Sequence, residues 1–265
     1  MESCDKQVST RRRIGGLIAC STHRGLKEEN RDRCKCDDFG PYKVLVLADG
    51  VTRSLHGGQA AEIAVNTFYE VIKNACGARK EIGISVLREA YQEAVEKLKQ
   101  VAKSETSESE NRYETTVIAI VEAEDRFFIT YLGDGRIYLV RGDLEHGVQL
   151  MITHKVGLAL GGALGPYGLL SKPVYMEHSK SFESGEVIVA GTDGAFELET
   201  EGSEPTIRQI LKMLKNKDGL HSNDALTKTL NLFLEDLASK HSLYDNATIG
   251  IIITEKAKDK LASEE

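Results

Sequence analysis

The apolar residues of this chain keep two different periods, and the order in which those periods alternate restricts the fold more tightly than any other feature. Runs such as IGGLIACS and KVLVLAD are short and rich in β-branched and small apolar residues, the composition of buried strands. From about Gly58 the spacing lengthens to three and four, with Ala61, Ala64, Val65, Phe68, Val71 and Ile72 forming one face of an amphipathic helix. A second helix carries Ile84, Leu87, Tyr91, Val95, Leu98 and Val101 inward. Strand-like runs return at TTVIAIVEA, DRFFITYLG, RIYLVRG, VQLMIT, PVYMEHS and EVIVAGTD, the first two joined in hairpin fashion at Glu124-Asp125. Two more helices follow, one with Ile207, Ile210, Leu211 and Leu214 inward, the other with Leu226, Leu230, Phe233 and Leu237; NATIGIIIT is the last strand. This order is not the alternation of βαβ units. It predicts an α+β fold in which antiparallel sheets are covered by helix pairs.

The 265 residues, 41% hydrophobic and 28% charged, suffice to bury one large core or two small ones, and no repeat or linker divides them. The folded domain is expected over residues 14–254. Residues 1–13 (MESCDKQVSTRRR) are polar and read as a flexible arm, and residues 255–265 (EKAKDKLASEE) show no apolar face and read as a solvated tail. HRGLKEENRDRCKCDDFGP, between the first two strands, and SETSESEN, after the second helix, read as polar loops. A net charge of −7 argues against a nucleic-acid partner. No apolar stretch approaches the roughly 18 to 20 residues that span a bilayer, and no signal-peptide core is present, so the expectation is a cytoplasmic protein without a membrane partner. The odd number of cysteines (Cys4, Cys20, Cys34, Cys36, Cys76) suits free thiols in a reducing compartment. Cys34-Lys35-Cys36 lacks the second pair that a zinc site requires.

Three apolar runs end on an aspartate, VLVLADG at Asp49, FFITYLGDG at Asp134 and VIVAGTDG at Asp193, and a fourth, Asp245, stands just before NATIGIII. Any single Asp-Gly is an ordinary turn, because Asp tolerates left-handed geometry and Gly has no Cβ. Four acids at the ends of four separate strands need another reason. A strand delivers its terminal side chain to one edge of a sheet, so such ends gather carboxylates around hard cations such as Mg²⁺ or Mn²⁺. The leading expectation is a metal-dependent hydrolase.

In order along the chain come N-x-D (Asn30, Arg31, Asp32), A-D-G (Ala48, Asp49, Gly50), T-T-V (Thr115 to Val117), L-G-D-G-R-I-Y-L (Leu132 to Leu139), A-L-G (Ala163 to Gly165), G-T-D-G (Gly191 to Gly194) and D-N-A-T (Asp245 to Thr248). This set resembles the type 2C, metal-dependent serine/threonine protein phosphatase family, in its bacterial form, from about Ile14 to Thr254. The resemblance implies a four-layer α-β-β-α sandwich of two antiparallel sheets flanked by helix pairs, with two Mg²⁺ or Mn²⁺ ions, and a weak third, in a cleft at one edge. It implies that Asp49 bridges both metals and Gly50 offers its carbonyl. Asp193 and Asp245 would complete the first metal's protein ligands, Asp32 would orient a metal-bound water, and Asp134 would help to hold the third ion. Acids forced together repel and take up protons unless cations neutralise them. Two divalent ions roughly 3.5–4 Å apart can share a water, lower its pKa to near neutrality and aim the resulting hydroxide in line at phosphorus. The implied reaction is direct hydrolysis of phosphoserine or phosphothreonine by a monomer. Its partners would be a phosphorylated protein substrate and the opposing Ser/Thr kinase.

The chain departs from that family pattern at several points. Where the family holds the phosphate with an arginine this chain has Lys27, a point charge without the bidentate fork, and Arg24 is the other candidate. Arg31 brings a positive charge to a position where Glu or Gln is usual, and Val51 stands where eukaryotic members carry a histidine. His56 in SLHGG reads as a surface or capping residue. The flap usual before A-L-G is reduced to HKVGLALGG, which predicts a more open rim. These departures support a second reading, a catalytically silent phosphatase-like module that binds phosphoproteins or regulates them. A third, a phosphohydrolase with an aspartate nucleophile, wants a D-x-D pair that Asp49-Gly50-Val51 does not supply.

Overall fold

In the computed structural model residues 15–78, 80–104, 113–156, 159–181, 183–196, 205–217, 219–241 and 243–263 are described. Strands β1 (Gly16–His23), β2 (Arg33–Asp38) and β3 (Lys43–Ala48) come first, followed by helices α1 (Gly57–Gly77) and α2 (Ile84–Ser104). Next are β4 (Val117–Glu122), β5 (Arg126–Leu132), β6 (Arg136–Arg141) and β7 (Gly147–Gln149). Two very short hairpins follow, β8 (Lys155–Val156) with β9 (Ala159–Leu160) and β10 (Leu164–Gly165) with β11 (Gly168–Leu169). The chain continues through β12 (Val174–Ser179), β13 (Glu186–Gly191), α3 (Asp193–Phe196), α4 (Thr206–Lys215), α5 (Asn223–His241), β14 (Ala247–Thr254) and α6 (Glu255–Ser263).

The large strands form two five-stranded sheets in the orders β1-β14-β13-β6-β7 and β12-β5-β4-β3-β2, with every pairing antiparallel. Because side chains alternate across a strand, each central strand feeds two apolar layers. Val44, Val46 and Ala48 of β3 face α1 and α2, whose Ala61, Ala64, Phe68, Leu87, Tyr91 and Leu98 are buried against them. Leu45 and Leu47 point the other way and meet Ile188, Ala190 and Ile252 between the sheets. The third layer packs Ile249, Ile251 and Ile253 of β14 on Ile210, Leu214, Leu226, Leu230 and Leu237. The result is the four-layer α-β-β-α sandwich. Gly250 is required where the sheets approach, since a Cβ there would lie 2.5 Å from Leu45 Cδ1.

Three expectations are corrected. The stretch read as one polar loop contains β2, which pairs with β3 from Arg33↔Ala48 to Asp38↔Lys43. Its pattern hides the strand, because Cys34 and Cys36 are its inward apolar residues while Arg33, Lys35 and Asp37 alternate with them. The tail at 255–265 is not solvated as a whole: α6 covers the ends of β1 and β14, with Ala257 and Leu261 buried in the third layer. Two apolar residues one turn apart are too few to register as a face, yet they fill a specific gap. VQLMIT is a strand only over Gly147–Gln149; Met151 is buried between the sheets and Ile152 is exposed. The arm at 1–13 and the SETSESEN loop beyond Ser104 lie outside the described residues. Among the described residues no helix is long and apolar enough to cross a membrane.

Candidate metal centre

Antiparallel pairing sends several strand ends to one rim. In the second sheet β3 ends where β2 and β4 begin (Ala48↔Arg33, Leu47↔Ile118), and β4 begins where β5 ends (Val117↔Leu132). In the first sheet β13 ends beside the starts of β6 (Gly191↔Arg136) and β14 (Gly191↔Ile249). The turn at residues 133–135 crosses from β5 to β6, hence from one sheet to the other, and draws the two rims together. Asp32, Asp49, Asp134, Asp193 and Asp245 all flank these ends.

Carboxylate oxygens of Asp49, Asp134 and Asp193 lie within 4.8 Å of one another. Burial pushes the Asp49 carboxyl well above the ordinary range, and the charges of Asp32, Asp134 and Asp245 add to the shift. Asp245 therefore belongs to the same electrostatic group, although its Oδ2 is engaged by Lys27 Nζ at 3.3 Å and its Oδ1 accepts the Asn246 N–H at 2.8 Å. Asp32 is buried, and Thr192 donates its hydroxyl to Oδ2 at 2.7 Å. Its Oδ1 is buried with no hydrogen-bond partner among the described residues. Burial pushes its pKa to about 7; the Thr192 hydrogen bond opposes the rise and the Asp193 charge adds to it.

The donor set is all oxygen and rich in carboxylate, the chemistry of Mg²⁺ and Mn²⁺ sites. The raised carboxyls and the orphaned Asp32 oxygen fit such ions, because a cation beside them removes the repulsion that holds protons on the acids.

The surrounding backbone is fixed by hydrogen bonds that cross the rim. The Asp49 N–H donates to Thr116 Oγ1 at 3.0 Å, and the Asp49 carbonyl accepts from Thr116 N and Thr115 Oγ1. Gly50 abuts the start of α1, where a Cβ would lie 2.3 Å from the Gly57 carbonyl carbon. The Asn246 amide holds the loop that carries Lys27, donating to Arg24 O and Glu29 O at 2.7 and 3.0 Å and accepting from Arg31 N at 2.8 Å.

Lys27, Arg31, Gly50, Leu55, Asp245 and Asn246 line a cleft of about 500 Å³ outside the acids. The Arg31 guanidinium bonds to Glu29 and to the carbonyls of Thr52 and Ser54 rather than to the aspartates. Arg24 turns to the Glu28 carbonyl at 3.3 Å. His56 stacks on Tyr113 with ring centroids 4.7 Å apart, a packing role.

Lys155 is the site residue that sequence reasoning missed. Its Nζ lies 3.2 Å from Asp134 Oδ2 and 3.8 Å from Asp193 Oδ2. The only sequence signal was the brevity of HKVGLALGG, which leaves β8 and β9 next to the β5–β6 turn. Asn246 and Thr192 stand inside recognised motifs, but nothing in a motif tells that their side chains brace Lys27's loop and Asp32.

A profile of the family described as Protein phosphatase 2C matches residues 21–234. The chain belongs to the protein phosphatase 2C family. By class it is a protein serine/threonine phosphatase. Solved structures share the fold of this phosphatase. The serine/threonine phosphatase PstP/Ppp of Mycobacterium tuberculosis matches with TM-score 0.66 at 18% identity, covering 90% of this chain and 98% of that one. Stp1 from Staphylococcus aureus matches with TM-score 0.68 at 17% identity, covering 92% and 97%. The PstP catalytic domain in complex with two manganese ions matches with TM-score 0.64 at 18% identity, covering 90% and 98%. At such identities the likeness is one of fold. No curated protein sequence matches the chain.

Proposed function

We propose that the aspartate rim hydrolyses phosphoserine and phosphothreonine in proteins with the aid of two divalent ions, Mn²⁺ or Mg²⁺. The observation that carries this reading is the convergence of Asp49, Asp134 and Asp193, from three separate strand ends, within 4.8 Å. The binding of two manganese ions by the similarly folded PstP domain supports it. Asp49, Asp193, Asp245 and the Gly50 carbonyl are the groups that would hold the ions. Bound there, such ions supply an acidified water and neutralise charge on a phosphoryl group.

The chain's own residues do the rest. Thr192 fixes one oxygen of Asp32, and the other is left to accept a hydrogen bond from water at the cluster. Lys27 faces the cleft beside Asp245, where its ammonium can attract a phosphate dianion, while the Arg24 side chain is committed to its own loop. Geometry favours Lys27 over Arg24 as the phosphate-holding cation. Between Met151 and Ala163 the described strands are β8 and β9, two residues each, and a connection this short suits an open rim that takes an extended phosphorylated segment. All proposed ligands come from one chain, so a monomer suffices, acting against the Ser/Thr kinase that installs the phosphate. A cytoplasmic setting fits that role.

Release of phosphate from p-nitrophenyl phosphate and from a phosphothreonine peptide tests the reading. It should require Mn²⁺ or Mg²⁺ and disappear in Asp193→Asn. Metal binding without turnover would instead establish the silent phosphoprotein-binding module.

A further inference from the structure

We propose that Lys155 is a tethered counter-cation that takes the place of a third divalent ion, so that this phosphatase binds two such ions and no more. The inference rests on the reading of the rim as a divalent-metal centre. It starts from the ammonium's position, 3.2 Å from Asp134 Oδ2 and 3.8 Å from Asp193 Oδ2, where it bridges an acid on the inter-sheet turn and an acid at the end of β13. Asp134 is buried, and its side chain is 9% exposed, so its charge depends on what stands next to it rather than on water.

The placement of Lys155 follows from the backbone. Tyr131 OH accepts from the Ile152 N–H at 3.1 Å, and the His154 N–H donates to Gly133 O at 2.8 Å. The Gly133 N–H donates to His154 Nδ1 at 3.2 Å, and the His154 carbonyl accepts from Gly161 N at 2.6 Å. These bonds pin the segment before β8 onto the turn that carries Asp134. The next residue, Lys155, is thereby held over the acids, and its backbone is paired with Leu160 across β8 and β9.

A divalent ion on the same two oxygens would meet an ammonium at contact distance, and like charges at that range exclude one another. The lysine differs from an ion in two ways: it cannot be diluted or chelated, and it contributes one positive charge instead of two. Asp134 therefore keeps a cationic partner in metal-free protein, whatever ions Asp49, Asp193 and Asp245 go on to hold. Lys155 is thus a positioning residue, acting on Asp134 and Asp193 rather than on substrate.

Mn²⁺ stoichiometry by calorimetry and equilibrium dialysis on the 265-residue chain tests the proposal. Wild type should bind two equivalents, Lys155→Met three, and Lys155→Arg two. Asp134→Asn in the wild-type background should leave two, since no ion depends on that carboxylate. In EDTA, Lys155→Met should melt below wild type, and added Mn²⁺ should raise its melting temperature by more. Three equivalents in wild type, two in Lys155→Met, or a lost equivalent in Asp134→Asn would overturn the role of Lys155. If wild type binds no Mn²⁺ at all, the underlying reading of the rim fails instead.

Discussion

Asp32→Asn should stabilise the metal-free protein while abolishing its phosphatase activity. Asp32 is buried, one of its oxygens has no hydrogen-bond partner among the described residues, and burial lifts its pKa from 3.8 to about 7. A folded-state pKa above the unfolded value means that the native protein binds the proton more tightly, so Asp32 favours folding at low pH. That contribution is lost as the pH rises from about 4 through about 7, and is constant above. At roughly 1.4 kcal/mol for each tenfold change in proton affinity, ionising Asp32 costs on the order of 4 kcal/mol at pH 8 and about a third of that at pH 5. Asparagine avoids the cost. Its carbonyl still accepts from the Thr192 hydroxyl, and its amide nitrogen stands beside the Asp49 carboxylate, where an acceptor is available. Urea unfolding in EDTA should show the variant several kcal/mol more stable than wild type at pH 8, with a smaller gain at pH 5. Saturating Mn²⁺ should shrink the difference, because bound cations favour the ionised acid. A variant no more stable than wild type at pH 8, or a gain that does not change with pH, would refute the reasoning.

Other residues give equally definite outcomes. Asn246→Ala removes three partly buried hydrogen bonds to the loop of Lys27; urea unfolding should show a loss of about 1–3 kcal/mol, and KM for a phosphopeptide should rise. Leu261→Asp places a charge in the apolar layer beneath α6 and should lower stability by about 3 kcal/mol or more with kcat unchanged at a temperature where the variant is folded. Gly250→Val drives a side chain into Leu45 between the sheets; a loss of about 2–3 kcal/mol or insoluble expression is expected, measured by melting temperature against wild type.

Much of this architecture was legible because strands and helices with one continuous apolar face announce themselves. α1, α2, α4 and α5 lie where the three- and four-residue spacing puts them, and β3, β13 and β14 are nearly unbroken apolar runs. β2 escaped because an edge strand with cysteines inward and charges between them has the composition of a loop. α6 escaped because Ala257 and Leu261 bury well only against surfaces that the rest of the chain supplies. The same contrast holds at the site. Aspartates at strand ends could be named from the sequence, because strand geometry decides where they point. Lys155 could not, since its meeting with Asp134 depends on how a short hairpin docks on a distant turn. The partial separation of Asp245, paired with Lys27 rather than lying in the tightest cluster, was likewise invisible, because loop closure sets it and no period encodes it.

Crystals soaked in Mn²⁺ and measured at its absorption edge test the central claim most directly. Two anomalous peaks roughly 3.5–4 Å apart should appear at the rim, within coordinating distance of Asp49, Asp193 and Asp245. An empty rim in fully soaked crystals, or manganese bound only elsewhere on the molecule, would contradict the account.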